Sequence, residues 1–180
     1  EPINGEVFFG LRGGSSLAHT EDLEQDADAD LILGLGTERF DALLYAGFKA
    51  AEPIAGSDLD ASIDGGLLFL RAGLEGRYLL FPDNGFLSPY VGAGIGAFIM
   101  GWTFTNPLTA GTDIITGDSL SGCILSASAG VYLARNDWVS LGVSIVPEVY
   151  LYDYVTAEGF NNDYFLPYST VKIMGELLFR

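Results

Sequence analysis

One cysteine in 180 residues leaves no internal disulfide to form, and Cys123 has no second cysteine at metal-binding spacing, so thiolate metal centres and disulfide scaffolds are both excluded. Histidine is equally scarce. The one imidazole, His19, lies in a polar stretch with Ser15, Ser16, Glu21 and Asp22, where nothing would hold it in the fixed geometry that nucleophilic catalysis demands. No glycine-rich phosphate loop or pair of catalytic acids accompanies it, so the chain reads as a non-enzyme that needs no cofactor. Lysine and arginine together number 8 against 24 acids, a formal net charge of −16, which excludes nucleic acid as a partner and favours cations or basic surfaces. Also missing is any apolar run near the roughly 18 residues of a membrane-spanning helix. The chain opens at Glu1 without a charged and apolar leader, so the expected secretion signal is one already removed.

The chain is nevertheless oily: 49% of it is hydrophobic, its mean hydropathy is +0.31 and it holds 24 glycines. Apolar content without a long run points to strands, because inside hydrocarbon only helices and closed barrels satisfy their own backbone groups. The apolar residues follow a two-residue rhythm. Val171, Ile173, Leu177 and Phe179 share one parity, against Lys172, Met174, Glu176 and Arg180 on the other. Leu31, Leu33 and Leu35 oppose Asp30, Ile32, Gly34, Gly36 and Glu38, and Leu68, Leu70 and Leu74 oppose Phe69, Arg71 and Glu75. Leu141, Val143 and Ile145 oppose Ser140, Gly142 and Ser144. The mixed parity is a poor solvent face, since it carries Phe8, Ile32, Phe98, Met100 and Trp102 with only isolated charges. The aliphatic parity therefore faces lipid and the mixed parity faces an interior.

Turn signals divide the chain into eight strands, expected at about 6–13, 29–39, 42–50, 65–80, 89–104, 121–134, 138–152 and 166–179. Their connections alternate between short turns and long polar stretches, the latter at 14–28, 51–64, 105–120 and 153–165. That alternation fits a single domain over residues 1–180: an all-β, eight-stranded, antiparallel up-and-down transmembrane barrel with short periplasmic turns and four long external loops. Pro147 lacks an N–H and should interrupt pairing in the seventh strand. Aromatics gather at both strand ends, with Phe40, Tyr78, Phe81, Phe86, Tyr90, Trp138 and Phe179 at the short-turn rim and Trp102, Phe104, Tyr150, Tyr152, Tyr154, Phe160, Tyr164, Phe165 and Tyr168 at the other. Interfacial girdles are the expected role of both sets.

One segment is more specific. Pro89-Tyr90-Val91-Gly92-Ala93-Gly94-Ile95-Gly96-Ala97-Phe98 resembles the fifth-strand motif of small outer-membrane β-barrels of the OmpA, OmpX and OmpW superfamily. Val91 and Ile95 would face lipid there, and the glycines would leave room in a narrow lumen. The resemblance implies an outer membrane of a Gram-negative-type bacterium, a monomer embedded in membrane lipids, and a structural, adhesive or recognition role. It also implies a last strand ending on an aromatic; here Arg180 follows Phe179.

Within such a barrel the mixed face brings Arg12, Lys49, Arg71, Arg77 and Lys172 together with Glu6, Glu38, Glu75, Glu148 and Glu176. Charges in a narrow interior have to pair, and the expected result is an ion-pair plug instead of an open channel. A small-solute or ion pore, gated at Arg71, Glu75, Glu148 and Lys172, is the alternative. A soluble lipocalin-like barrel, with the aliphatic parity inside, is a further one. Acids crowd the long connections, where Asp26, Asp28 and Asp30 offer a weak divalent-cation site and the acidic rim offers a surface for a basic partner.

Overall fold

The computed structural model describes residues 5–18, 26–52, 54–56, 65–82, 86–110, 113–152 and 168–180. Eight strands follow one another in chain order: β1 (Glu6–Ala18), β2 (Asp26–Gly36), β3 (Phe40–Ala51), β4 (Leu67–Leu79), β5 (Ser88–Ala110), β6 (Asp113–Arg135), β7 (Val139–Tyr152) and β8 (Tyr168–Phe179). Each pairs antiparallel with the next, and β1 pairs with β8 from Phe9↔Phe179 to Ala18↔Thr170, so the sheet closes on itself. Closure leaves no edge around the barrel wall, which is the condition for a sheet to stand in hydrocarbon.

Side-chain alternation fixes which face turns inward. On β3 and β4 burial alternates residue by residue, from buried Asp41, Leu43 and Tyr45 to buried Arg71, Glu75 and Arg77, with exposed neighbours between them. Leu31, Leu33, Leu35, Leu68, Leu70, Leu74, Val91, Ile95, Leu141, Val143, Ile145, Ile173 and Leu177 all point out of the barrel and are exposed, while Val171 and Phe179 share that outward parity but are half-buried. Phe179 is covered by Phe9, its ring stacked 5.4 Å away across the β1–β8 seam. Cys123 is also exposed on the outer wall.

A narrow barrel needs gaps on its inner face, and glycine supplies them. Tyr45 lies along the inner wall over the two neighbouring strands and sets its hydroxyl against its register partner Gly73 on β4 and against Gly96 on β5, where a Cβ would lie 2.5 and 2.6 Å from that oxygen. Any larger residue at those two positions would displace the ring.

Pro147 keeps its pairing with Val171 of β8, but on its other side the β6–β7 ladder is broken between Ser126↔Glu148 and Ala129↔Ile145, as a residue without an N–H requires. A register shift also falls between Tyr132 and Ala134. The larger difference from the sequence reading concerns the third long connection. Most of it is strand: β5 and β6 run 23 residues each and stay paired to Ala110↔Asp113, a ribbon standing beyond the barrel wall. Its β-branched residues, Thr103, Thr105, Thr109, Ile114, Ile115 and Thr116, favour extended backbone over loop.

The aromatic girdles differ as well. Phe40, Tyr78, Phe81, Phe86 and Trp138 are exposed at the short-turn rim, but Tyr90, Trp102 and Tyr150 turn into the lumen and are buried there. The side chains of Phe104, Tyr152, Tyr154, Phe160, Tyr164, Phe165 and Tyr168, like His19, lie outside the described residues.

Candidate functional site: the charged lumen

The inward residues of β4 give the layering of the lumen in a single strand. From the long-connection end they read Leu67, Phe69, Arg71, Glu75, Arg77, Leu79: apolar, then charged, then apolar again. The other strands follow suit. Ala51, Leu67, Phe69, Phe98, Met100, Trp102, Ile124 and Tyr150 form one buried apolar cluster towards the long connections. A second forms towards the short turns from Phe8, Ile32, Leu43, Tyr45, Leu79, Tyr90, Tyr132 and Leu178. Between and against these clusters lie the charges.

In the upper layer Arg71 contacts Asp28 at 2.5 Å, Asp30 at 2.9 Å and Glu148 at 3.5 Å. Lys172 joins the same group, with Nζ 2.7 Å from Glu148 and 3.1 Å from Asp28. Tyr150 donates to Glu148 Oε2 at 2.8 Å and ties this layer to the apolar cap above it. The Lys49 ammonium, fully buried, stands 5.4 Å from the centre of the Phe69 ring and 5.3 Å from that of Tyr150, a cation held against two aromatic faces.

The lower layer centres on Glu75. Its Oε2 accepts from Arg12 Nη1 at 2.6 Å, and its Oε1 accepts from Arg77 Nε at 2.9 Å and Ser128 Oγ at 2.8 Å. Arg77 also donates to Glu176 at 2.7 Å and to Tyr132 Oη at 3.1 Å, with its guanidinium 4.6 Å from the Tyr90 ring centre. Asp30 joins the two layers, because one of its oxygens accepts from Arg71 Nε at 3.0 Å and the other from Arg12 Nε at 3.1 Å. Tyr132 passes the chain on to Asp41 at 3.0 Å, where Arg135 and Arg180 stand at 3.8 and 4.0 Å at the short-turn mouth.

The buried bases among the described residues, Arg12, Lys49, Arg71, Arg77 and Lys172, meet the buried acids Asp28, Asp30, Asp41, Glu75, Glu148 and Glu176. Arg180, its side chain 3% accessible, brings the two signs level. Balance matters because an uncompensated charge in such a space costs about 3 to 5 kcal/mol.

Three sequence readings need correction. Glu38 lies outside the lumen: β2 stops at Gly36, and Glu38 is exposed in the following turn. Glu6 stands at the open rim with its side chain 61% accessible, bonded to Arg180 Nη1 at 2.9 Å. The divalent site at Asp26, Asp28 and Asp30 gives way to ion pairs, since the carboxylates of Asp28 and Asp30 point inward and meet Arg71, Lys172 and Arg12. The side chain of Asp26 lies outside the described residues, among which no group of three or more His, Cys, Asp or Glu side chains is disposed to hold a metal. Asp28, Asp41 and Arg180 are absent from the lumen set read from the sequence, and Asp30, placed there on the inward parity, joins the ion pairs as well. For the aspartates the signal was parity: Asp28 and Asp30 alternate with Ala27 and Ala29 in step with Leu31 and Leu33, and Asp41 keeps step with Leu43, Tyr45 and Lys49.

No protein-family sequence model matches the chain, and no curated protein matches it by sequence. Solved structures match its fold. Neisserial surface protein A aligns over 98% of this chain and 98% of its own, with a TM-score of 0.63 at 7% identity. Ail, the attachment invasion locus protein of Yersinia pestis, aligns over 97% of this chain and 96% of its own, at 0.53 and 12%. The outer membrane protein OprG from Pseudomonas aeruginosa aligns over 96% and 94%, at 0.52 and 13%. At these identities the likeness carries the fold alone: the chain has the eight-stranded closed barrel of small outer-membrane proteins, the group that its fifth-strand motif resembles.

Proposed function

We propose that the protein is an integral outer-membrane barrel with a plugged lumen, and that it works as a structural and recognition element through the acidic connections at its long-loop end. The observation that carries this reading is the layered interior. A solute would have to push through both apolar clusters and the ion-pair layers between them, and any wide opening would separate buried pairs whose loss costs several kcal/mol each. The outward leucines and isoleucines support the membrane location, because a face so apolar belongs in hydrocarbon.

Charge distribution supports the direction of recognition. All eight lysines and arginines are accounted for by the lumen set of Arg12, Lys49, Arg71, Arg77 and Lys172 and by Arg39, Arg135 and Arg180 at the short-turn rim. None falls in the long connections, which hold Glu21, Asp22, Glu24, Glu52, Asp58, Asp60, Asp64, Asp153, Glu158 and Asp163. Such an end attracts divalent cations or a basic partner and repels polyanions. Ail is known in complex with the heparin analogue sucrose octasulfate, a polyanion that an end of this charge would repel. The test is electrical. The purified barrel in planar bilayers is expected to give no current steps above the bare membrane; sustained unitary steps would overturn the plugged-lumen reading in favour of a pore.

A further inference from the structure

Arg180 follows the aromatic on which the last strand is expected to end, and its side chain turns back into the short-turn mouth, 3% accessible. Main-chain pairing across the seam has stopped by then. The β1–β8 ladder reaches its last pair at Phe9↔Phe179, whereas β1 continues against β2 to Glu6↔Gly36, so among the described residues Glu6, Val7 and Phe8 run past the end of β8. A side chain spans that step. Arg180 Nη1 donates to Glu6 Oε2 at 2.9 Å and Nε donates to Ser140 Oγ at 3.1 Å, while the guanidinium lies 5.1 Å from the centre of the Phe8 ring. Its backbone N–H donates to the Trp138 carbonyl at 3.0 Å and holds the residue beside β7. Inside the mouth Nη2 stands 4.0 Å from Asp41 of β3, and Gly36 leaves room for the group, since a Cβ there would lie 3.3 Å from Nη1.

One planar fork thus touches β1, β3 and β7 from the end of β8, which requires several donors in fixed directions. A lysine would reach one partner at a time. The seam is also the pairing that costs most to form, because β1 and β8 come from opposite ends of the sequence and their contact closes the longest loop in the barrel. It should close last and open first.

We infer that Arg180 is a latch: it fastens the β1–β8 seam at the short-turn mouth once the wall has closed, and so sets how fast the finished barrel opens. A contact made only after closure is missing from the folding transition state, so its loss speeds unfolding and leaves the folding rate nearly unchanged. The latch also gives the residue beyond Phe179 a task that neither the apolar wall nor the layered plug requires of it.

The test uses the full chain folding into and unfolding from lipid vesicles, with Arg180→Met, which keeps most of the apolar stem and loses the fork. Unfolding should accelerate at least about tenfold, as the loss of hydrogen bonds between a charged donor and its partners implies, and the folding rate should change by less than about twofold. Arg180→Lys, a point charge in place of the fork, should still unfold at least about threefold faster than the parent. A staple separates a latch from general support. With Leu11→Cys and Leu177→Cys, register partners on the outer wall, joined by a disulfide in a Cys123→Ser background, the seam stays shut as the barrel opens. Arg180→Met should then change the unfolding rate by less than about twofold, and reducing the disulfide should bring the full effect back. Asp30→Ala, which cuts pairs of the interior, should keep its acceleration with the staple closed. Slower folding with unchanged unfolding, failure of Arg180→Met to fold at all, full recovery by lysine, or an Arg180→Met effect that persists in the stapled barrel would each overturn the inference.

Discussion

Lys172 and Asp28 stand 144 residues apart in the chain, yet the Lys172 ammonium donates to Asp28 Oδ1 at 3.1 Å. The bond joins β8 to β2 through the lumen, reaching past β1, which lies between them in the wall. Because Lys172 also meets Glu148 of β7, a single ammonium ties together strands from both ends of the sequence. The barrel is thus closed twice, by main-chain pairing around the wall and by charge across the middle.

The pairing of Arg71 with Glu148 gives the sharpest test of that inner closure. Arg71→Met or Glu148→Gln alone should destabilise the barrel by about 3 kcal/mol, because each leaves a buried charge without one of its partners. The double variant should cost less than the sum of the two. Denaturant unfolding from lipid vesicles measures all three; additive losses would remove the coupling.

Asp30 should matter far more than an acid at the rim, since its two oxygens serve Arg12 and Arg71 at once and join the two charged layers. Asp30→Ala is expected to cost about 3 to 5 kcal/mol. By contrast Glu6→Gln should cost less than about 1 kcal/mol, its bond to Arg180 being exposed on the Glu6 side. Unfolding midpoints for the two variants in the same vesicles check the ranking, and a costlier Glu6→Gln would reverse it.

Tyr45 and the two glycines beneath its hydroxyl predict a rescue. Gly96→Ala should destabilise by about 1 to 3 kcal/mol, the usual cost of overfilling a packed interior. Adding Tyr45→Phe withdraws the oxygen that crowds the new methyl and should recover some of the loss. No recovery would place the strain instead at the Ala72 carbonyl, which lies 2.8 Å from the same Cβ position.

The outer wall predicts a depth-dependent penalty. Leu70→Arg, Leu141→Arg and Ile173→Arg each put a guanidinium on the outward face and should weaken insertion by about 2 to 4 kcal/mol near the bilayer midplane. Folding yield and unfolding free energy in vesicles report it; neutral behaviour at all three positions would speak against lipid contact.

What the sequence made legible was the wall. The two-residue rhythm of β2, β4, β7 and β8 and the alternating connection lengths carry strand number, closure and direction, because lipid on one side and a narrow interior on the other leave each position little choice. The partners inside were less legible. Asp26-Ala27-Asp28-Ala29-Asp30 has the composition of a polar loop, and its acidity hid the fact that its alternation continues the leucine rhythm that follows. Asp41 was masked in the same way by the turn beside it. Which acid meets which base cannot be read along the chain at all, since a pair such as Arg77 and Glu176 forms only when the sheet has closed. The ribbon was misread because its threonines and glycines look like loop residues when counted and like strand residues only when their β-branching is weighed.

Site-directed spin labelling along β7 tests most directly the claim that lipid touches the aliphatic face. Cysteines placed singly at 141–151 in a Cys123→Ser background, with the barrel in vesicles, should show a period of two. Positions 141, 143, 145, 149 and 151 should be accessible to oxygen and closed to a water-soluble nickel chelate, and 142, 144, 146, 148 and 150 should be closed to both. Free access of the nickel reagent at the leucine and valine positions, or the opposite phase, would contradict the account.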